Sequence, residues 1–178
     1  MSKVYLKEIK FPSTDYSYFK NLTDEVKAVV EKSKVQLGFV LVTTKHTTLS
    51  IVLQEISEPN LLKDMLNFAL HIVPTDRRAF QVTKGEFSYP TADYVHRCQD
   101  NPFCNEVDED YNAPSHIRTM LYGHPSITIP IYNGKPVLGK YQEVAALEFD
   151  GRDGTGKNPI RQRTVQIWTY PFEEIEEL

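Results

Sequence analysis

The sequence predicts an α+β domain in which strands predominate and two or three helices pack on them. Three observations lead there. A chain of 178 residues, 40% hydrophobic and 11% aromatic, can build one sizeable core and is too short to expect two, so 1–178 is read as a single domain. Apolar residues recur at helical spacing in three separate stretches, near residues 23–34, 61–73 and 114–122. From Ser126 to Tyr170 the chain reads as β structure almost without a break.

Taken in order, Val4 to Phe11 alternates and is a strand. Asn21 or Thr23 then caps a helix reaching about Lys34, with Val26, Val29 and Val30 on one stripe. GFVLVTT, from Gly38 to Thr44, is β-branched and apolar enough for a buried central strand, and SIVLQ, from Ser50 to Gln54, is another. Leu61, Leu62, Met65, Leu66, Ala69, Ile72 and Val73 mark the main core helix, which Pro74 stops. His71 near its C-terminal end is read as structural, favoured there by the helix dipole. Lys84 to Pro90 is loop-like, and Phe80, Phe87 and Tyr89 lack the interleaved basic residues of a base-stacking platform.

Asn112 can cap a helix with Pro114 in its first turn and Ile117, Met120 and Leu121 on its apolar face, ending at Gly123. SITIPIY, from Ser126 to Tyr132, leads through Asn133-Gly134, the preferred type I′ pair, into a hairpin partner at Lys135 to Leu138. Pro130 marks its strand as an edge or a bulge. Gln142 to Phe149 and Arg161 to Tyr170 complete the strands.

A net charge of −4, partly carried by the acidic FEEIEEL terminus, argues against a nucleic-acid groove or an anionic membrane surface. No apolar run approaches the roughly 20 residues that span a bilayer, and the N-terminal stretch alternates like a strand, so a cytoplasmic protein is expected. Cys98 and Cys104 bracket QDNPF at a spacing of no common zinc knuckle; free thiols are the first reading, with a disulfide or metal ligation as alternatives. The Gly-rich DGRDGTGKNP lacks the residue order of a phosphate loop.

The densest chemistry lies in DEDYNAPSHIRTMLYG, from Asp108 to Gly123, with Tyr94-Val95-His96 before it. His116 falls at a helix start, where the dipole disfavours an imidazolium, so it is a neutral base or ligand unless it merely helps the helix begin. His46 follows a strand and His96 lies in a polar cluster. Three neutral imidazoles with an open fourth position would make a catalytic zinc or related divalent site, with Glu55 or Glu148 completing it or orienting a ring. Scattered structural histidines account for the same residues, and spacing leaves both readings open.

The blocks KHTTLSIVLQE, EPNLLKDMLNFALHIVP, YVH, DYNAPSHIRTMLYG, SITIPIYNGKPVLGKYQEVAALEFDGR and RQRTVQIW resemble, in order and spacing, the YjbQ family, often labelled secondary thiamine-phosphate synthases. The likeness runs from about Val4 to Thr169. It implies a two-layer β sandwich with helices on it, a homotrimer, and a cleft with three histidines that match His46, His96 and His116. Glu55 and Glu148 match acidic family positions; Gly139, Gln142 and Arg163 match positions near which an anion is expected. The chain departs from the family at Gly139-Lys140-Tyr141-Gln142, where Gly-Thr-Trp-Gln is usual, and at Gln54-Glu55, where Asn-Glu is usual. It also carries extra residues around 98–107 and 153–159.

The resemblance implies an enzyme acting on a phosphorylated small molecule, by attack of a thiazole-phosphate nitrogen on a hydroxymethylpyrimidine carbon as pyrophosphate leaves. Lys140, Gln142, Arg161 and Arg163 would hold phosphate, and His46, His96 and His116 would bind zinc or magnesium or move protons, beside Glu55 and Glu148. The alternatives are a metal-dependent hydrolase and a non-catalytic trimer that binds an anion or a partner protein.

Overall fold

The computed structural model describes residues 3–15, 17–76, 90–94, 111–151 and 160–174. It is an α+β fold dominated by antiparallel sheet. β1 (Tyr5–Ser13), β2 (Tyr18–Asn21) and α1 (Thr23–Ser33) come first, then β3 (Leu37–Thr44) and β4 (Leu49–Gln54). After α2 (Pro59–Ile72), the two-residue strands β5 (Thr75–Asp76) and β6 (Thr91–Ala92) pair in parallel. α3 (Ala113–Tyr122), β7 (Ser126–Tyr132), β8 (Lys135–Pro136), β9 (Glu143–Glu148) and β10 (Arg161–Pro171) follow.

Five strands form one sheet in the order β1-β10-β3-β7-β8, and three form a second, β2-β9-β4. Alternation explains how the two meet. Along β3, Val40 and Val42 are buried; along β10, Val165 and Ile167; along β7, Ile129 and Ile131. These rows face Leu49 and Ile51 of β4 and Val144 and Ala146 of β9 in one cluster, which Val26 and Val30 of α1 join. Each such buried aliphatic side chain contributes about 1.5–3 kcal/mol relative to exposure. The opposite face of β9 offers Leu147, followed by Phe149, to Ala69 and Leu66 of α2 and Tyr122 of α3, so the layers run sheet, sheet, helix pair.

The hairpin at Asn133-Gly134 has φ of 50° and 70°, the type I′ signature. Pro130 lies on β7 opposite Phe39 of β3, while β8 covers only Ile131 and Tyr132 on the other side, so most of β7 is a sheet edge. Gly38 (φ 153°) lets β3 approach β10 closely, since a Cβ there would lie 2.0 Å from the Tyr170 carbonyl oxygen.

Two elements differ from expectation. β2 is a strand that the sequence pattern does not announce. α2 is not the main core helix: only Ala69 and Leu70 are buried on it, Phe68 and Ile72 are 60% and 55% exposed, and α1 enters the principal core instead. Helical periodicity reports an apolar stripe, not how deeply it is buried.

Candidate functional site

Where the inward-facing rows of β1, β9 and β10 reach one end of the sandwich, apolar residues give way to Ser13, Glu148 and Arg163. Strand alternation puts all three on the core face. The Arg163 and Glu148 side chains are 5% and 1% exposed. Glu148 Oε2 accepts from Arg163 Nε and from Ser13 Oγ (2.8 Å). Its Oε1 accepts from Arg163 Nη2 (2.8 Å) and from the backbone N–H groups of Phe149 (3.1 Å) and Asp150 (2.7 Å). A carboxylate has about four lone-pair directions, so these bonds occupy Glu148 fully. It serves as the counter-ion of a buried arginine. Arg163 Nη2 also donates to Thr48 Oγ1 (3.0 Å), which leaves Nη1 as the guanidinium nitrogen that none of these bonds uses.

A second carboxylate extends the cluster. Asp150 pairs with Arg161 Nη2 at 3.1 Å, the arginine side chain being 29% exposed and that of Asp150 2%. Asn112 Nδ2 donates to the same Asp150 oxygen (3.2 Å), and Ser115 Oγ donates to the Phe149 carbonyl (2.6 Å). Asn112 thus precedes α3 without bonding its amides through its side chain; that side chain ties the helix start to the end of β9. Asn112 Oδ1 is buried without a hydrogen-bond partner among the described residues. His116, half-buried in the same turn, bonds through its backbone N–H to the Asn112 carbonyl (3.3 Å).

His46 stands beside these arginines because β3 ends two residues earlier. Its backbone N–H donates to Thr44 Oγ1 (3.2 Å), and its Nε2 accepts from the Thr164 N–H (3.0 Å). Burial and then Arg163, partly opposed by Glu148 and aided to a smaller extent by Arg161, hold its pKa below the ordinary histidine value. The ring is neutral at physiological pH.

The remaining sequence candidates sit elsewhere. Glu55, Lys140 and Gln142 line a cavity of about 790 Å³ together with Lys27, Lys135 and Glu143. Glu143 and Glu148 are the two ends of β9, about 17 Å apart at the usual rise of about 3.3 Å per residue. The structure therefore brings His46, Glu148, Arg161 and Arg163 together, with the start of α3 beside them, and puts Glu55, Lys140 and Gln142 at the far end of the strand. Gln142 Oε1 accepts from the Gly139 N–H (2.8 Å), closing a turn, and Lys140 Nζ lies 4.9 Å from the centre of the Tyr141 ring. Glu143 was not singled out by sequence. Hydrogen bonds, that of the Ser57 hydroxyl foremost, lower its pKa, and it ties β2, β9 and the segment after β4 through Asn21 and Ser57.

His96, Cys98, Cys104 and the Gly-rich 152–159 stretch lie outside the described residues. Among the described residues no three His, Cys, Asp or Glu side chains are grouped to hold a metal. Of the three histidines expected to share a metal, His96 lies outside the described residues; among the other expected donors, Glu148 is fully engaged and the Nε2 lone pair of His46 is taken by the Thr164 N–H. No described helix is long and apolar enough to cross a membrane.

Comparison with known proteins agrees with this architecture. A Clostridium acetobutylicum protein of the YjbQ/UPF0047 family superposes with a TM-score of 0.68 at 27% identity, covering 92% of this chain and 99% of that one. A Sulfolobus solfataricus protein described as YbjQ-like and of unknown function shares the fold (TM-score 0.68, 22% identity, 96% and 99% covered). An Archaeoglobus fulgidus UPF0047 protein is 34% identical over 131 residues, 74% of this chain and 80% of its own length. A Methanothermobacter thermautotrophicus UPF0047 protein is 30% identical over 149 residues, 84% and 85% of the two chains. The family profile described as UPF0047 protein YjbQ-like matches residues 7–170, and the chain belongs to that family.

Proposed function

We propose that this chain is an enzyme that holds a phosphorylated small molecule against Arg161, the free edge of Arg163 and His46, and promotes alkyl transfer with pyrophosphate as the leaving group. The observation that carries it is that the cluster offers guanidinium and imidazole donors while its carboxylates, which balance the two arginines, are already engaged. Hydrolysis needs a base to take a proton from water. Attack by an aromatic ring nitrogen, as of a thiazole phosphate on an activated hydroxymethylpyrimidine, needs none, because that nitrogen carries no proton to lose. What such a reaction requires is stabilisation of the departing negative charge, which preorganised guanidinium groups supply. The family likeness favours the same chemistry.

Purified protein given hydroxymethylpyrimidine diphosphate and thiazole phosphate in magnesium buffer should form thiamine phosphate and release pyrophosphate in equal amounts. Arg161→Ala should slow this by roughly 10²-fold, as for loss of one charge-stabilising group. Release of phosphate without coupled product would favour the hydrolase reading instead, and failure to bind pyrophosphate would sink the proposal.

The same proposal includes a homotrimer. Phe68, Ile72, Met120 and Leu121 are all more than half exposed, and the last two line an apolar cavity of about 670 Å³ between α2, α3 and the smaller sheet. Exposed apolar surface of this kind marks association sites. Light scattering at micromolar concentration should give three chains per particle, and Met120→Glu should lower that number; a wild-type monomer would contradict it.

A further inference from the structure

We infer that His46 meets the bound anion as a neutral hydrogen-bond donor through Nδ1–H, in a setting that bars it from ligating a divalent metal. The donor role rests on the anion site proposed above; the metal exclusion does not. The pairing of β3 with β10 ends at Thr44 opposite Val165. The Thr164 N–H would be left without a partner there, at a cost comparable to a lost hydrogen bond. His46 Nε2 takes it at 3.0 Å, so the imidazole stands in for the strand that has left. Thr44 fixes the arrangement from below, since its Oγ1 donates to the Thr164 carbonyl (3.3 Å) and accepts from the His46 N–H (3.2 Å).

An N–H needs a lone pair, so Nε2 carries no proton, and the neutral ring carries it on Nδ1. That nitrogen has no partner among the described residues, on a ring that is half-buried beside Arg163 and Arg161. The three groups together form a set of donors suited to phosphate oxygens. A metal at Nδ1 would require either an imidazolate or loss of the Thr164 bond.

The test uses the full chain with ¹⁵N-labelled histidine, His46→Asn serving to assign the His46 signals. Long-range proton–nitrogen spectra at pH 7 should show His46 as the Nδ1–H tautomer. Pyrophosphate should shift that signal, and one equivalent of zinc should leave it in place. An Nε2–H tautomer, or displacement by equimolar zinc, overturns the inference. Two variants separate the nitrogens, because an Asn amide occupies roughly the place of Nδ1 and a Gln amide that of Nε2. His46→Asn should bind pyrophosphate within about threefold of wild type, and His46→Gln roughly 10-fold to 100-fold more weakly, as expected for a lost charge-assisted bond. The reverse order overturns the donor role. A wild-type chain with the stated tautomer that takes up no pyrophosphate overturns the anion reading and the donor role with it, while the zinc result still judges the metal exclusion.

Discussion

Arg163→Ala is expected to destabilise the fold by about 3–5 kcal/mol, read as a fall in the denaturant midpoint, because it leaves the Glu148 carboxylate buried without its counter-ion. Much of that loss comes from the stranded charge and not from the attraction itself. The double variant Glu148→Gln with Arg163→Met should therefore lose less than the sum of the two single changes, and strict additivity would contradict this account. Arg163→Lys should not rescue, since an ammonium cannot reproduce a fork that meets both oxygens of Glu148 and also reaches Thr48. Arg161→Ala is the contrasting case. Its side chain is 29% exposed, but its partner Asp150 is 2% exposed and keeps the Asn112 amide as a donor, so its removal should cost about 1–3 kcal/mol, less than loss of Arg163, while weakening pyrophosphate binding.

Gly151→Ala should be nearly as damaging, for a steric reason. A Cβ at Gly151 would lie 1.6 Å from the Asp15 carbonyl oxygen and 2.6 Å from Ser13 Oγ. The first neighbour is backbone, so the turn between β1 and β2 must move, and Ser13 moves with it away from Glu148. About 3 kcal/mol, the upper end for overpacking, is expected in chemical unfolding, with weaker pyrophosphate binding because Arg163 is then less firmly held. Gly139→Ala is the control. Its Cβ would meet only the end of the Gln142 side chain at 3.3 Å, and a change within about 0.5 kcal/mol is expected. Equal effects from the two substitutions would refute the argument.

The strands and helices could be read from the sequence where apolar spacing was long and regular, as in GFVLVTT and in the stripe from Leu61 to Val73. YFKN in β2 is too short to show a period, and its place is decided by pairing with β9. His46 and Glu148 could be named because charged and imidazole groups beside apolar strands stand out, and Arg161 and Arg163 entered through the family resemblance. Ser13, Thr48 and Asp150 could not, since hydroxyls and short acids are common at strand ends, and only the register of distant strands gathers them. The strand read from Gln142 to Phe149 already separates Lys140 and Gln142 from Glu148, whereas only the antiparallel pairing of β4 with β9, Gln54 opposite Glu143, puts Glu55 at that same far end.

The position of β10 bears on how the molecule assembles during synthesis. It is the inner strand between β1 and β3, yet it follows both by more than a hundred residues; the His46 and Thr164 contact spans 118 positions and the Glu8 and Gln166 contact 158. Until those residues leave the ribosome, β1 and β3 each present an unpaired edge, and loop closure must precede the contacts that reward it. Folding should be slow, with the nascent chain most prone to edge-to-edge association before β10 inserts.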